Sequence, residues 1–534
     1  MNATHDILLC TLNSTYQHSS FGLRYLYANL DELQSQACIL ESTIKETPRN
    51  FVEKLLQHRP RIVGFSVYIW NTLETLECIM ILKKVAPEVV IVLGGPEISY
   101  ETETQPHTQW ADFIIKNEAD FLFRDLCRDI LIHEQRPEQK IIEAKLPDIK
   151  QIKLPYDLYT DDDIRNRVIY VEASRGCPYK CEYCLSSLDK SVRSFDLDLF
   201  LAEMKKLLDR GARTFKFVDR TFNLSPTTST RILQFFLEHI ELGLFLHFEL
   251  VPDRLPKEIR ELICQFPAGS LQFEIGIQTL NPLVAQNISR KNDMVKVAEN
   301  FTYIKEHTHV HTHADLIVGL PGETLQSFAE GFDRLASFGP DEIQVGILKR
   351  LKGTPIARHE KSFKMLYSEA PPFQILSTDT MDFMTLQKMN RFAKYWDLYV
   401  NSGEFKHFSE WLRTNEQLGA SYFWKFDQLS EYLSKTYSET HSISLMNLAE
   451  KAYLFLIENG VESSIAAEII EQDYCYGSKR RDLPPFLKKL QGLSNTSSRA
   501  LPNASSASSS ISSSTGNPTT QNAGRNSRQL KHLN

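Results

Sequence analysis

Short apolar runs alternate with segments of helical length over most of the chain. In the first 140 residues the runs fall at 7–12, 37–40, 61–67, 89–93 and 113–115, with helix-length stretches between them, which is the signature of a doubly wound parallel sheet. A second series falls at 168–174, 214–218, 244–250, 271–277, 311–318 and 342–348, again with helical periodicity between most members. From about 354 to 490 the pattern becomes aromatic-rich and helical, as at 381–400 and 445–459. After Gly492 the chain turns to Ser, Asn, Thr and Gly with four basic and no acidic residues, too few apolar groups to fold. The expected organisation is an α/β sheet domain at 1–140, a linker at 141–162, a second strand–helix domain at 163–355, a helical domain at 356–490 and a disordered tail at 491–534.

Directly after the apolar run that begins the second series stands Arg-Gly-Cys-Pro-Tyr-Lys-Cys-Glu-Tyr-Cys, which places Cys177, Cys181 and Cys184 in a C-x-x-x-C-x-x-C triplet. Three thiolates on one loop can hold three irons of a cubane cluster and leave the fourth iron open, whereas a closed structural zinc site wants four ligands. Residues 185–200 supply neither cysteine nor histidine, which counts against zinc.

With Tyr183 just before its last cysteine, the triplet resembles the cluster motif of the radical S-adenosylmethionine superfamily. That resemblance implies a partial barrel of six strands with functional residues at the strand C-termini. Glu274, Gly276, Gln278 and Arg290 are similar to the segment that lines the nucleoside and amino-acid parts of S-adenosylmethionine. Asp315, in Asp-Leu-Ile-Val-Gly-Leu-Pro-Gly-Glu-Thr, belongs to a strand and turn resembling the one that closes over the adenine, and Glu249 resembles the ribose or carboxylate contact. After the second strand the frequent Gly-Gly-Glu pattern is replaced by Val-Asp-Arg-Thr-Phe-Asn, so Asp219 and Arg220 become the candidates for the amino-acid end of the ligand.

The first sheet resembles a cobalamin-binding domain. Ser66, Gly94 and Gly95 stand where small residues surround the nucleotide tail, and Tyr68 and Trp70 are candidates to line the ring or simply to pack. The first loop departs from the cobalt-ligating Asp-x-His-x-x-Gly pattern, with Tyr16 for the Asp and Gly22 one residue further on. His18 is therefore a candidate contact without the cobalt-ligating motif, as in the radical enzymes of this kind that lack a ligating histidine. Asn117-Glu-Ala-Asp120 replaces the usual Gly-Glu-Gly-Glu. The order of domains is that of the cobalamin-binding radical S-adenosylmethionine family, in the group with a helical C-terminal domain of unknown function.

The resemblance implies a 4Fe-4S cluster, S-adenosylmethionine and cobalamin, an electron donor such as flavodoxin or ferredoxin, and methylation of an unactivated carbon of a small molecule. Rearrangement or cyclisation without methyl transfer and a non-catalytic cobalamin or cluster sensor are the alternatives. A net charge of −7 argues against a general nucleic-acid surface. No signal peptide or membrane span is expected, and six singleton cysteines beside mostly apolar neighbours suit a reducing, cytoplasmic setting. Cys10, Cys38 and Cys78 fall on strands and a helix, unlike the loop ligands of a second cluster. His307, His309, His311 and His313 alternate into a strand, and we expect strand packing there rather than a metal.

Overall fold

The computed structural model describes residues 4–437, 443–475 and 483–490. The tail at 491–534 lies outside the described residues.

Two parallel sheets organise the molecule. The first runs β1 (Ile7–Asn13), β2 (Ala37–Thr43), β3 (Ile62–Ser66), β4 (Val90–Gly94), β5 (Phe113–Lys116) and β6 (Ile141–Glu143) in the spatial order β2-β1-β3-β4-β5-β6. Its strands are buried on both faces. Leu8, Val63 and Ile91 face one apolar core, and Ile7, Ile62 and Val90 face another. Helices cover both faces for that reason. The chain leaves β1 toward β2 on one side and returns to β3 on the other, so the strand C-termini open into a crevice beside β1. The sheet takes β6 from just past residue 140, where we expected the first domain to stop. Three residues pairing with β5 are too few for an alternating pattern to announce.

After β7 (Ile169–Val171) come the antiparallel pair β8 (Ser174–Arg175) and β9 (Arg193–Ser194), then β10 (Thr214–Phe217), β11 (Phe245–Leu250), β12 (Leu271–Gln278), β13 (His311–Val318) and β14 (Glu342–Ile347). The second sheet has the sequential order β14-β13-β12-β11-β10-β7, an open six-stranded arc with helices outside. The run at 168–174, expected as one strand, breaks after Val171. The Ala173 N–H donates to Asp219 Oδ2 at 3.0 Å instead of to a neighbouring strand, and Ser174 turns away to pair with Ser194.

Helices Phe383–Trp396, Lys406–Thr414, Tyr422–Thr436, Leu445–Glu458 and Ser463–Cys475 close the described chain on one side of this arc. Their aromatic residues join the barrel core. Phe332 on the helix before β14 meets Trp396 at 4.7 Å, and Phe392 meets Phe423 at 4.7 Å between ring centres. Asn401 pairs both ways with the backbone of Ile343 and so covers the free edge of β14. Between the two sheets Arg24 is buried with Glu41 at 2.5 Å and Asp163 at 2.9 Å. No described helix is long and apolar enough to cross a membrane.

Candidate active site and cofactor cavities

The loop joining β8 to β9 carries Cys177, Cys181 and Cys184. The first two are buried and the third is half-buried. Its entry needs a glycine. Gly176 has φ of +91°, and a Cβ there would stand 2.0 Å from the Ser191 carbonyl oxygen. The Cys177 N–H donates to the Asp189 carbonyl at 3.1 Å, closing the loop on itself.

Glu182, between two of the cysteines, is 4% exposed and fastens the loop from outside. Its carboxylate accepts from Ser289 Oγ at 2.5 Å and His359 Nε2 at 2.9 Å and pairs with Arg358, while its carbonyl accepts from the Ile356 N–H at 3.0 Å. Removing the Glu182 carboxylate leaves Ser289 and the buried His359 without their acceptor, at a cost of about 1 to 3 kcal/mol. We therefore expect Glu182→Ala to release the loop, so that reconstituted protein keeps less iron through desalting than the parent while Glu182→Gln keeps an intermediate amount.

The three cysteines open on a cavity of about 820 Å³ at the C-terminal ends of the second sheet's strands. Along β12 the burial alternates, sending Glu274, Gly276 and Gln278 to the cavity while Phe273, Ile275 and Ile277 enter the core. Gly276 leaves the space that Gln278 needs, since a Cβ on Gly276 would meet Gln278 Nε2 at 2.5 Å. Glu249 and Asp315 reach the same space from β11 and β13. Arg290 donates to Cys181 Sγ at 3.4 Å and to the Tyr183 hydroxyl at 3.0 Å, setting a fixed cation against the cysteine loop.

Charge is unevenly shared at these strand ends. Glu274 accepts from His247 at 2.8 Å and pairs with Lys216 at 3.4 Å, and despite its burial these partners hold its carboxyl well below the usual range. Arg220 Nη1 donates to both Glu249 carboxylate oxygens, at 3.1 and 3.2 Å, yet burial still raises the Glu249 carboxyl. Asp315 is driven well above its ordinary value by burial and by the Glu274 and Glu249 carboxylates.

The cavity thus gathers Cys177, Cys181, Cys184, Tyr183, Glu249, Glu274, Gly276, Gln278, Arg290 and Asp315 from five separated stretches of sequence, together with Arg220, Thr221, Lys291 and Asn292. It leaves Asp219 out. Both Asp219 oxygens are spent inside the fold, on the Ala173 N–H and on Ser174 Oγ at 2.6 Å. Burial pushes its carboxyl up to about 7. Because the folded value lies above the unfolded one, the neutral form stabilises the fold at low pH and that stability is lost as pH rises from about 4 through about 7. Asp219→Asn is expected to flatten the fall in melting temperature over that interval; an unchanged slope would contradict it.

A second cavity, of about 770 Å³, lies at the strand ends of the first sheet and takes in Ser66, Tyr68, Gly94 and Gly95 with Gly22 and Gly64. Gly95 has φ of +107° and no room for a Cβ, which would stand 2.6 Å from the Val67 carbonyl oxygen. At Gly94 a Cβ would meet only the Ile115 carbonyl, at 3.7 Å, so the missing side chain is open space. Tyr68 stacks on Trp70 at 4.4 Å with 6° between planes. Asn117, Glu118 and Asp120 form one wall, and Arg175 reaches across from β8 to pair with Glu118 at 2.8 Å and Asp120 at 3.0 Å. His18 is not in this cavity. Its Nδ1 lies 2.6 Å from the Tyr170 hydroxyl, and its backbone bridges to Val168. It therefore serves the junction between the sheets, a contact across 152 residues of chain.

The donor sets fit two groups of different kind. Three cysteines on one cavity, with no fourth cysteine or any histidine among its described lining, suit a cluster with an open iron. A glycine-floored crevice at a sheet's topological switch suits a long, thin ligand tail.

Comparison with known families agrees with both. Residues 7–125 match the B12 binding domain model and residues 171–335 match the radical SAM superfamily model. The chain thus joins a B12 binding domain to a radical SAM domain. Residues 361–528 match a protein family of unknown function, DUF4080. Relatives of the chain include the 2-(S-pantetheinyl)-carbapenam-3-carboxylate methyltransferase of Streptantibioticus cattleyicolor, 23% identical over 70% of this chain and 61% of that protein. The cobalamin-dependent radical SAM methyltransferase TokK of Streptomyces tokunonensis is 23% identical over 64% of this chain and 54% of its own. The chain thus spans less than two thirds of the length of either. Its fold is that of TsrM from Kitasatospora setae, solved with cobalamin and a [4Fe-4S] cluster bound (TM-score 0.56, 15% identity, 70% of this chain and 82% of that one). It is also that of the cobalamin-dependent enzyme OxsB with aqua-cobalamin bound (TM-score 0.58, 13% identity, 88% and 80%).

Proposed function

We propose that this protein is a cobalamin-dependent radical S-adenosylmethionine methyltransferase acting on an unactivated carbon of a small molecule. The observation that carries the reading is the adjacency of the two cavities. Arg175, which lines the glycine-floored crevice and binds its acidic wall, is two residues from Cys177, which lines the cysteine cavity. Two cofactors held this way would face one reaction space.

Cys177, Cys181 and Cys184 hold the cluster, and Ser66, Tyr68, Gly94 and Gly95 take the cobalamin. When bound, the cluster supplies the electron that cleaves S-adenosylmethionine to a 5'-deoxyadenosyl radical, and the cobalamin carries the methyl group. The side chains orient and enclose. Arg220, which meets Glu249 through one terminal nitrogen, is placed to donate to the ligand's carboxylate, Arg290 adds a fixed positive charge nearby, and Glu249 is placed to accept from its ammonium. Gln278, on a backbone of φ +73°, packs its amide into the space that Gly276 leaves and so presents it to the cavity where the nucleoside would lie. An acidic one-electron carrier such as flavodoxin or ferredoxin supplies the electron.

Anaerobic reconstitution with iron, sulfide and hydroxocobalamin tests the assignment. About four irons and one cobalt should be retained per chain, with 5'-deoxyadenosine formed on reduction in the presence of S-adenosylmethionine. Iron without cobalt would overturn the cobalamin half, and no 5'-deoxyadenosine would overturn the radical half. With a deuterated methyl donor, label entering a product separates methylation from cyclisation.

A further inference from the structure

The interior of a (β/α) barrel is ordinarily filled by layers of branched apolar side chains. Here the layer below the strand ends is polar and titratable. Lys216 of β10, His247 of β11, Gln272 of β12, His313 of β13 and Glu342 and Gln344 of β14 line a further cavity of about 1550 Å³. Each of the first four precedes, on its own strand or the turn after it, a residue that lines the cysteine cavity: Arg220, Glu249, Glu274 and Asp315. The two cavities therefore lie one above the other, and Glu274, His313 and Asp315 stand between them. One polar atom from each of these three lies within 4.8 Å of the others.

The three carboxylates above are unequally paired. Lys216 and His247 are committed to Glu274, and Arg220 to Glu249. Asp315 Oδ1 is buried, accepts no hydrogen bond, and lies 3.6 Å from His313 Nδ1. His313 Nε2 is in turn 3.9 Å from Glu342, which His311 meets at 2.9 Å, and His311 lies 3.9 Å from Asp341 at the surface. Polar groups thus follow one another from the upper cavity to solvent.

We infer that this column is the proton exit of the S-adenosylmethionine pocket, with Asp315 as the group that gives up and recovers the proton. The inference rests on the function proposed above. With the pocket empty, burial and the Glu274 and Glu249 carboxylates favour the protonated form of Asp315 against the opposing pull of Lys216 and Arg290. A unit cation arriving within about 4 to 6 Å of a carboxyl lowers its pKa by about one to three units. Entry of the sulfonium therefore breaks the Asp315 O–H bond, forms an N–H bond on His313 and passes one proton to the lower cavity. Reductive cleavage of the sulfonium removes one positive charge from the pocket, and Asp315 takes the proton back. No electron moves through the column.

Calorimetric titration of the reconstituted enzyme at pH about 6, in two buffers of different ionisation enthalpy, counts the protons released. S-adenosylmethionine is compared with S-adenosylhomocysteine, which carries the same amino-acid and adenosyl groups without the charge on sulfur. The sulfonium ligand should release up to about one proton more, and Asp315→Asn should remove the difference. Equal counts in the native enzyme would overturn the inference. Failure of either ligand to bind would overturn the S-adenosylmethionine reading beneath it. For the route, His313→Leu should release the same number of protons more slowly in stopped flow with an indicator dye, and an unchanged rate would exclude His313.

Discussion

Replacing Cys181 by alanine is expected to abolish the cluster's absorption and reduce 5'-deoxyadenosine formation to background, while cobalt is still retained. Cys181 is the middle ligand of a set of three with no spare. No other cysteine or histidine lines the same cavity among the described residues. Of the six further cysteines, Cys264 and Cys475 lie by later helices, and four lie in the first sheet and the helices around it: Cys10, Cys38, Cys78 and Cys127. Burial raises all four thiols, which makes them poor substitutes as thiolate ligands. The same substitution removes the acceptor that Arg290 meets at 3.4 Å, so the guanidinium loses one of its two contacts on the cysteine loop. The first sheet has its own two cores and shares none of this loop. Iron and cobalt counted on the same desalted sample check the result. Full iron content in the variant would refute the cluster assignment, and loss of both metals would mean that the two cavities are not independent.

What could be read from the sequence divides along the range of the interactions. The six barrel strands and the five longer strands of the first sheet announce themselves because each is a local apolar run with helical stretches between. The positions that fill the cysteine cavity were legible for a similar reason. Glu274, Gly276 and Gln278 fall at period two on one strand, and a strand's faces alternate whatever lies beyond it. Asp219 falls outside the cysteine cavity because its partners lie 45 and 46 residues back: a carboxylate just past a barrel strand is equally placed to meet a ligand or to pin the break after β7. His18 is held away from the crevice in the same way by Tyr170. The polar barrel interior went unread for another reason. Alternation at Lys216, His247 and His313 shows two faces but not which of them points outward, and the usual assignment sends the charged face to water. Only closure of the arc, with a helical layer packed beside it, turns that face inward.

Replacing Gly94 by phenylalanine is expected to weaken cobalamin retention by at least about a hundredfold while leaving iron content and the reductive cleavage of S-adenosylmethionine near those of the parent. The position differs from its neighbour in the way the test requires. Gly95, with φ of +107° and backbone 2.6 Å from where a Cβ would stand, can accept no side chain, and its substitution would damage the sheet itself. Gly94 carries no such strain, and a Cβ there makes ordinary contact with the Ile115 carbonyl at 3.7 Å. A phenyl ring at Gly94 must enter the crevice, because β4 is paired with β3 and β5 on its two sides. The volume it takes is the volume the cofactor tail needs. Since the cysteine cavity draws none of its lining from the first sheet, S-adenosylmethionine cleavage should continue, now uncoupled from methyl transfer. Cobalt per chain, 5'-deoxyadenosine and methylated product measured together decide it. Cobalt bound as tightly as in the parent would place the cofactor elsewhere and leave the glycine-floored crevice to another ligand.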